Sequence, residues 1–167
     1  MIVETEAYLG VPDLAAHSKG GRLTERTAPM FDRPGTAYVF MTYGMHHCFN
    51  VVCAEVGDPC AVLVRALEPV EGIETMRRRR SAGRDGVVRH RDLCSGPAKL
   101  CKALGIDRSL SGVDLCDHPG LCIEEAPAWH DRGWRLANGP RIGVDYAGEW
   151  AAKPLRWWVE GNAHVSR

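Results

Sequence analysis

Strand-like segments stand near both ends of this chain, and the helix-like segments lie between them. The stretch "IVETEAYL" (residues 2–9) alternates branched or aromatic residues with small or polar ones at period two, which is typical of a strand. Residues 37–53 predict two strands joined near Gly44, residues 60–69 ("CAVLVRALEP") a buried strand, and "LRWWVEG" a strand near the C-terminus. Because strands and helices do not alternate, the order predicts an α+β fold around a mainly antiparallel sheet.

Two helices are predicted between these strands. Residues 69–80 ("PVEGIETMRRRR") place proline near the first turn, acidic residues early and arginines late, an order that favours a helix. In "SGPAKLCKALGI" we expect Ser95 to be the N-cap and Gly105 to end the helix. This helix start beside Lys99 is either a phosphate site or an ordinary capped helix. Residues 107–140 predict mostly loop with one or two short strands.

Composition favours a soluble, intracellular protein. A length of 167 residues with 45% hydrophobic residues suits one domain with a real core. The sequence has no window of 18 uncharged apolar residues, so we expect no membrane association. Seven cysteines, without a CxxC pair, argue against a disulfide framework and against a zinc ribbon.

The formal net charge is zero, but the charges are segregated along the chain. Between Arg77 and Arg108 there are ten Lys or Arg residues and three acidic ones, whereas the stretch from Glu55 to Glu74 is acidic. Such segregation gives a basic patch on a neutral protein, which is suited to nucleic acid. The charge run alone is explained equally well by a solvated helix end and loop.

The first strand carries the strongest candidates for acid–base chemistry. Glu4, Glu6 and Tyr8 recur at period two, and His17 follows a short loop later. A carboxylate, an imidazole and aromatic rings can together hold a flat ring and activate water beside it. The alternative is that the glutamates are ordinary polar residues of an exposed strand and that His17 is a loop histidine bonded to backbone.

Aromatic residues also cluster on the predicted hairpin. Tyr38 and Phe40 share one face of its first strand and are explained well by core packing. Tyr43, beside Gly44 at the tip, is better used as a wedge or platform against a partner. The adjacent His46 and His47 point to opposite sides of a strand, so we expect no metal site.

Several motifs resemble, in order and spacing, the alkyladenine (3-methyladenine) DNA glycosylase family of the mammalian type. They are "VETEAYLG", "AAHSKGGRLTERTAPMF", "PGTAYVFMTYGMHHCFN", "VLVRALEP", "LCSGPAKLCKALGI" and "AGEWAAKPLRWWV". The resemblance implies a single domain over residues 1–167, with a curved, mainly antiparallel sheet and a protruding β-hairpin. It also implies flipping of a damaged purine out of duplex DNA and hydrolysis of its N-glycosidic bond in base excision repair.

By this resemblance Glu6 is the general base that deprotonates the water attacking C1′, and Arg65 is a buried arginine near that water. Tyr8 and His17 match residues that hold the flipped base, and Tyr38 would line the same pocket. The family's second stacking wall is a tyrosine, and Phe40 occupies that position here. Stacking on its ring should persist, whereas any hydrogen bond through the lost hydroxyl should not.

The remaining roles implied by the resemblance concern selectivity and DNA contact. Asn50 matches the asparagine that crowds the 2-amino group of guanine. Tyr43 matches the intercalating tyrosine, which fills the gap left by the flipped nucleotide. Arg22 and Lys99 would contact phosphates without reading sequence.

The implied substrates are 3-methyladenine, 7-methylguanine, hypoxanthine and ethenoadenine in double-stranded DNA. No lysine matches a Schiff-base nucleophile, so the resemblance implies a monofunctional enzyme without lyase activity, cofactor or metal. We expect a monomer located in the nucleus. Two alternatives stay open: a module that binds damaged DNA without cutting it, and a hydrolase that uses Glu4 and Glu6 on a free nucleoside or sugar.

One departure from the family concerns the N-terminus. Family members carry a further segment before the "VETEAYL" strand, and here Met1 begins the chain. We therefore expect either a partial or alternatively started chain, or a first strand that has lost an edge partner. An unpaired edge beside Glu6 would make the site loose and the protein less stable.

Overall fold

The computed structural model describes residues 1–82, 86–125 and 133–166, which form a six-stranded antiparallel sheet in the order β2-β3-β4-β1-β6-β5. This architecture confirms the predicted α+β class. The strands are β1 (Ile2–Leu9), β2 (Ala37–Thr42), β3 (His46–Val52), β4 (Cys60–Leu67), β5 (Leu136–Gly139) and β6 (Arg156–Val159). The helices are α1 (Ile73–Ser81) and α2 (Pro97–Leu104), with 3-10 turns at Lys19–Gly21, Ala28–Phe31, His90–Asp92, Arg108–Leu110 and Asp145–Ala152.

Strand β1 lies inside the sheet and not at its edge. It pairs with β4 over most of its length, and Glu4, Thr5 and Glu6 also pair with β6. The amide of Ala7 extends this second contact by donating to the Leu155 carbonyl at 2.8 Å. The expectation of an unpaired edge beside Glu6 is therefore wrong, because β6 pairs with β1 along this edge.

Both helices begin later than the sequence predicts. Before α1, Gly72 adopts φ +67°, a left-handed conformation that separates the helix from Pro69. Before α2, Gly96 at φ +141° takes the N-cap position, and Pro97 follows at the first helical position. Ser95 is not the cap, because its backbone is paired with Ala66 of β4. Gly105 ends α2 in a left-handed conformation, as predicted.

The two faces of the sheet have different coverings because side chains alternate along each strand. On one face, Val64 of β4 and Phe49 of β3 pack with Leu100 of α2 in the main core. On the other face, Leu63 and Arg65 of β4 border a cavity. The helices therefore fill one side of the sheet and leave the other side for the candidate site.

Strands β2 and β3 form the predicted pair of antiparallel strands, joined by residues 43–45. Tyr43 (φ +51°) and Gly44 (φ +69°) both adopt positive φ in this turn. Tyr43 is 90% exposed, so its ring packs little against the protein. Of the predicted loop 107–140, residues 126–132 lie outside the described part, and β5 is the strand that follows them. Among the described helices, none has the length and apolarity to span a bilayer.

Candidate active site

A cavity of about 360 Å³ lies between the β2–β3 pair, strands β1 and β4, and the loops around residues 15 and 142–146. Its lining combines aromatic rings with a few polar groups, as small-molecule and base-binding pockets do. Seven residues singled out from the sequence border it: Tyr8, His17, Tyr38, Phe40, Tyr43, Asn50 and Arg65. The fold therefore brings together residues that are up to 57 positions apart, from Tyr8 to Arg65.

Glu6 lies directly behind this cavity and has no exposed surface. Its Oε1 accepts from the backbone amide of Ile142 at 2.7 Å and lies 3.0 Å from Nη1 of Arg65. Its Oε2 accepts from the hydroxyl of Tyr8 at 2.9 Å. A buried carboxylate needs such partners, because leaving it unpaired is costly.

The hydrogen-bonding capacity of Glu6 leaves room for one more donor. An ionised carboxylate has about four acceptor positions; here Oε1 has one hydrogen bond and one ion-pair contact, and Oε2 has one hydrogen bond, from the described residues. The remaining position is on Oε2, the oxygen that bonds Tyr8, a residue of the cavity wall. All three partners of Glu6 belong to the cavity wall, so its carboxylate lies against the inner side of that wall.

Tyr8 has two contacts that the sequence did not predict. Besides its bond to Glu6, its ring lies 4.7 Å from the guanidinium carbon of Arg141. Burial, with the neighbouring charge and hydrogen bond of Glu6, raises the pKa of the Tyr8 phenol. Tyr8 therefore stays protonated and can donate to Glu6 throughout the physiological pH range.

His17, Tyr38 and Phe40 form one aromatic wall of the cavity. The centroid of the His17 ring is 4.4 Å from that of Phe40 in an edge arrangement, and Tyr38 and Phe40 are 5.4 Å apart. Nδ1 of His17 is 2.9 Å from the Tyr38 hydroxyl, and its Nε2 is 3.4 Å from Nη2 of Arg26. Arg26 can only donate, so Nε2 is the acceptor and the Nδ1 proton points to Tyr38.

The protonation state of His17 follows from its surroundings. Burial, and then the charges of Arg26 and Arg22, lower the pKa of the imidazole to about 4. His17 is therefore neutral near pH 7 and presents a polar but uncharged edge to a ligand.

Asn50 is buried and fixed in orientation. Its Nδ2 donates to the backbone carbonyl of Tyr38 on the paired strand at 3.0 Å. Because this bond defines which end of the amide faces the strand, Asn50 is a rigid part of the cavity wall.

Two tyrosines border the entrance of the cavity. Tyr43 projects from the β2–β3 turn, and Tyr146, which is 67% exposed, lies in the 3-10 turn Asp145–Ala152 with its hydroxyl 3.3 Å from the Ala15 carbonyl. Sequence reasoning did not identify Tyr146. It lies in a stretch without strand or helix periodicity, so no local pattern marks it.

Arg22 and Lys99 lie away from the cavity. Arg22 is exposed on the loop after the first 3-10 turn. The ammonium of Lys99 is 3.3 Å from the Ser95 hydroxyl, in a separate small cleft that also contains Arg89 and Arg91. The structure therefore does not place either residue at the base pocket, and their contact with phosphate stays a prediction. Arg84 of the same basic run lies outside the described residues.

A buried ion pair between Arg141 and Asp13 lies next to the site, and the sequence analysis did not identify it. Arg141 donates to both carboxylate oxygens of Asp13, to the Ala7 carbonyl and to the carbonyl of Trp150, and both side chains of the pair are fully buried. Burial opposes ionisation of Asp13, but the bonds from Arg141 and from the backbone amides of Leu9 and Ala15 outweigh it and lower its pKa. The pair fixes the loop that delivers the Ile142 amide to Glu6.

Metal ligands are not gathered in this region. Within residues 1–82, 86–125 and 133–166, no three His, Cys, Asp or Glu side chains come close enough to hold an ion together. The chemistry available in the cavity is that of a buried carboxylate, an arginine and aromatic walls.

Fold and site together define an α+β protein in which an aromatic-walled pocket lies against a buried carboxylate. Comparison with known proteins agrees with this class. The family model described as "Methylpurine-DNA glycosylase (MPG)" matches residues 1–163. This chain therefore belongs to the methylpurine-DNA glycosylase family.

Individual relatives come from mammals and from bacteria. The human protein named "DNA-3-methyladenine glycosylase" is 50% identical over 169 residues, which cover 99% of this chain and 56% of the relative. The mouse protein of the same name is 48% identical over 99% of this chain and 50% of its own length. A relative from Bacillus cereus is 48% identical over all of this chain and 82% of its own length. The chain thus spans about half the length of its mammalian relatives.

Proposed function

We propose that this chain forms one glycosylase domain that removes 3-methyladenine and related damaged purines from double-stranded DNA by hydrolysing the N-glycosidic bond. The observation that carries this proposal is the position of Glu6. Its carboxylate is fully buried and is held, by two hydrogen bonds and an ion pair, against residues that line a cavity walled by aromatic rings. Family membership and the names of the mammalian relatives support the same activity.

The cavity accounts for how a purine is held. A volume of about 360 Å³ accommodates a two-ring base. The rings of Tyr8 and Phe40 offer π-faces for stacking, which is worth about 1–3 kcal/mol per base. Neutral His17 and Tyr38 form a linked polar edge, and rigid Asn50 would exclude the 2-amino group of an undamaged guanine.

The hydrolytic step needs a base and a good leaving group. Glu6 takes a proton from water, the water oxygen bonds to C1′, and the purine departs with the electrons of the C1′–N bond. An alkylated purine is already cationic and leaves as a neutral molecule. Neutral hypoxanthine and ethenoadenine need a proton to leave equally well, so we expect slower release of these two bases than of 3-methyladenine and 7-methylguanine.

Arg65 stabilises the charge at this centre. Its guanidinium is buried, borders the cavity and touches Glu6. It therefore offsets the buried negative charge of Glu6 and presents a positive charge near the sugar and its phosphate.

DNA is held by groups outside the cavity. Tyr43 is exposed at the tip of the β2–β3 pair and is suited to fill the gap left by the flipped nucleotide, which offsets part of the unstacking energy. Arg22 and Lys99, with other basic residues of the 77–108 run, would contact phosphates and set the position on the duplex. We propose that the protein acts as a monomer.

The nuclear location stays a prediction. It suits the mammalian relatives, whereas the family also has bacterial members, which have no nucleus.

The test is base release from duplexes that each contain one 3-methyladenine-type lesion, 7-methylguanine, hypoxanthine or ethenoadenine, followed by alkali to cleave the abasic strand. We expect strand cleavage only after alkali, since the proposed enzyme has no lyase activity, and no cleavage of the undamaged duplex. Salt-dependent binding without base release would favour a binding module instead. Release from a free nucleoside but not from a duplex would favour the other hydrolase.

A further inference from the structure

Glu4 is a second fully buried carboxylate on β1, and the proposed hydrolytic step does not use it. It has 1% exposed surface and does not border the cavity. Two buried glutamates on one strand are unusual, because each needs charged or polar partners to offset the loss of hydration. The contacts of Glu4 indicate what it does.

Arg65 links the two glutamates. Its Nε donates to Oε1 of Glu4 at 3.0 Å, and its Nη1 lies 3.0 Å from Oε1 of Glu6. A guanidinium is planar and rigid, so fixing one edge fixes the direction of the other. The position of Arg65 at Glu6 is therefore set by Glu4.

Glu4 is held in turn from the C-terminal part of the chain. The backbone amide and the hydroxyl of Ser166 donate to its two oxygens at 2.6 and 2.8 Å, and Arg156 of β6 lies 3.4 Å from Oε1. Ser166 also accepts from Nη2 of Arg65 at 3.3 Å. Residues separated by up to 162 positions thus meet around one carboxylate.

We propose that Glu4 is a positioning residue: it shares Arg65 with Glu6 and so keeps one oxygen of Glu6 available to water. This inference rests on the proposed function. Without the negative charge of Glu4, Arg65 would be neutralised by Glu6 alone and would turn both of its ends toward that carboxylate. Oε2 of Glu6 would then lose the acceptor position that the reaction needs.

The charges around Arg65 predict how Glu4→Gln changes the dependence of the base-release rate on pH. Other ionisable or charged groups that face Glu6 belong to β1, β3, β4 and the 141–146 loop; they are Tyr8, Cys48, Arg65, Arg141 and Tyr146. Glu4 and Arg156 complete the charged set around Arg65. Replacing Glu4 by glutamine removes one negative charge from this set, which makes protonation of the site less favourable. The pH below which the base-release rate falls should therefore decrease. Simple structural damage would lower the rate at every pH instead.

The experiment compares Glu4→Gln and Ser166→Ala with the unchanged protein in single-turnover base release, with enzyme in excess over a hypoxanthine duplex. We expect Glu4→Gln to lower the rate constant by roughly 100-fold, the effect of misplacing a catalytic group by about 1 Å. The acid side of its rate–pH profile should move to lower pH, and its Kd for the duplex should not change. Ser166→Ala, at a half-buried hydroxyl, should fold normally and lower the rate several-fold.

Ser109→Ala is the matched control, because its hydroxyl donates to Asp107 at an exposed position and takes no part in the contacts among Glu4, Arg65 and Glu6. A folded Ser166→Ala with unchanged rate, or a Glu4→Gln variant with unchanged rate or an unmoved acid side of its rate–pH profile, would overturn the inference. If Glu4→Gln does not fold, Ser166→Ala alone decides it. Absence of base release by the unchanged protein would count against the proposed function and not against this positioning role.

Discussion

Two parts of the site differ in how many protein contacts hold them. The floor is Glu6 with the neighbouring Asp13–Arg141 pair, and the tip is the turn of residues 43–45 between β2 and β3. Glu6 has no exposed surface and is held by two hydrogen bonds and an ion pair from three parts of the chain, whereas Tyr43 is 90% exposed in a three-residue turn. The floor is organised in the free protein, as general-base chemistry requires. The Tyr43 ring makes few contacts in the free protein, so its stacking energy is gained only when the duplex binds. Changes in the floor should therefore affect stability or rate, and changes at the tip should affect DNA binding.

The largest effect on stability is expected from the floor. Arg141→Met leaves Asp13 buried without its charged partner, and removing one side of such a pair costs about 3–5 kcal/mol. Urea denaturation followed by tryptophan fluorescence measures the free energy of unfolding. The control is Arg33→Met at the exposed pair with Asp114, which should leave this free energy unchanged. Equal losses of unfolding free energy in the two variants would mean that the buried pair stabilises the protein no more than the exposed pair does.

A smaller effect, on DNA alone, is expected from the tip. Tyr43→Ala should weaken binding to a damaged duplex by about 1–3 kcal/mol, the energy of stacking one ring. Fluorescence anisotropy measures this affinity, and thermal unfolding of the free variant should match the unchanged protein. Val56→Ala, at an exposed residue outside this turn, is the control and should bind normally. A Tyr43→Ala variant that melts earlier but binds normally would make the tip a structural element.

Near pH 7 the smallest of the three effects is a dependence of stability on pH from His17 of the aromatic wall. The pKa of His17 is about 4 in the folded protein and about 6.5 when unfolded. Between these values the unfolded chain binds more protons, so stability falls as pH decreases from about 6.5 to 4 and levels off below. The slope from this group is at most about 1.4 kcal/mol per pH unit.

The measurement for His17 is the difference in free energy of unfolding between the unchanged protein and His17→Gln from pH 7 to pH 4. The variant should lose this part of the slope, while the other titrating groups cancel in the difference. A difference that does not vary with pH would mean that His17 is already accessible to protons in the folded protein.

Local sequence patterns predicted the strands well and the helix starts poorly. The alternation in residues 2–9 and the turn at Gly44 gave strand bounds that agree with the structure within a residue or two. Ser95 failed as an N-cap because a long-range pairing with Ala66 holds its backbone. Such a tertiary contact leaves no local signal, and it overrides the capping preference.

The residues of the candidate site also divide into those that were identified from the sequence and those that were not. The resemblance identified Glu6, Tyr8 and His17, and the structure places the last two at the cavity and Glu6 behind it. It did not reveal the Ile142 amide or Arg141, which contact β1 from 134 to 136 residues away. These contacts depend on how a loop without periodicity folds over the strand, so no spacing rule could find them.

The most direct test of the account is the single-turnover rate of base release by Glu6→Gln, with its duplex affinity measured beside it. Glutamine keeps the shape of the side chain but cannot accept a proton from water. The account predicts a rate lower by about 10²–10⁴-fold with an unchanged Kd for the duplex. A variant that releases base as fast as the unchanged protein would contradict it.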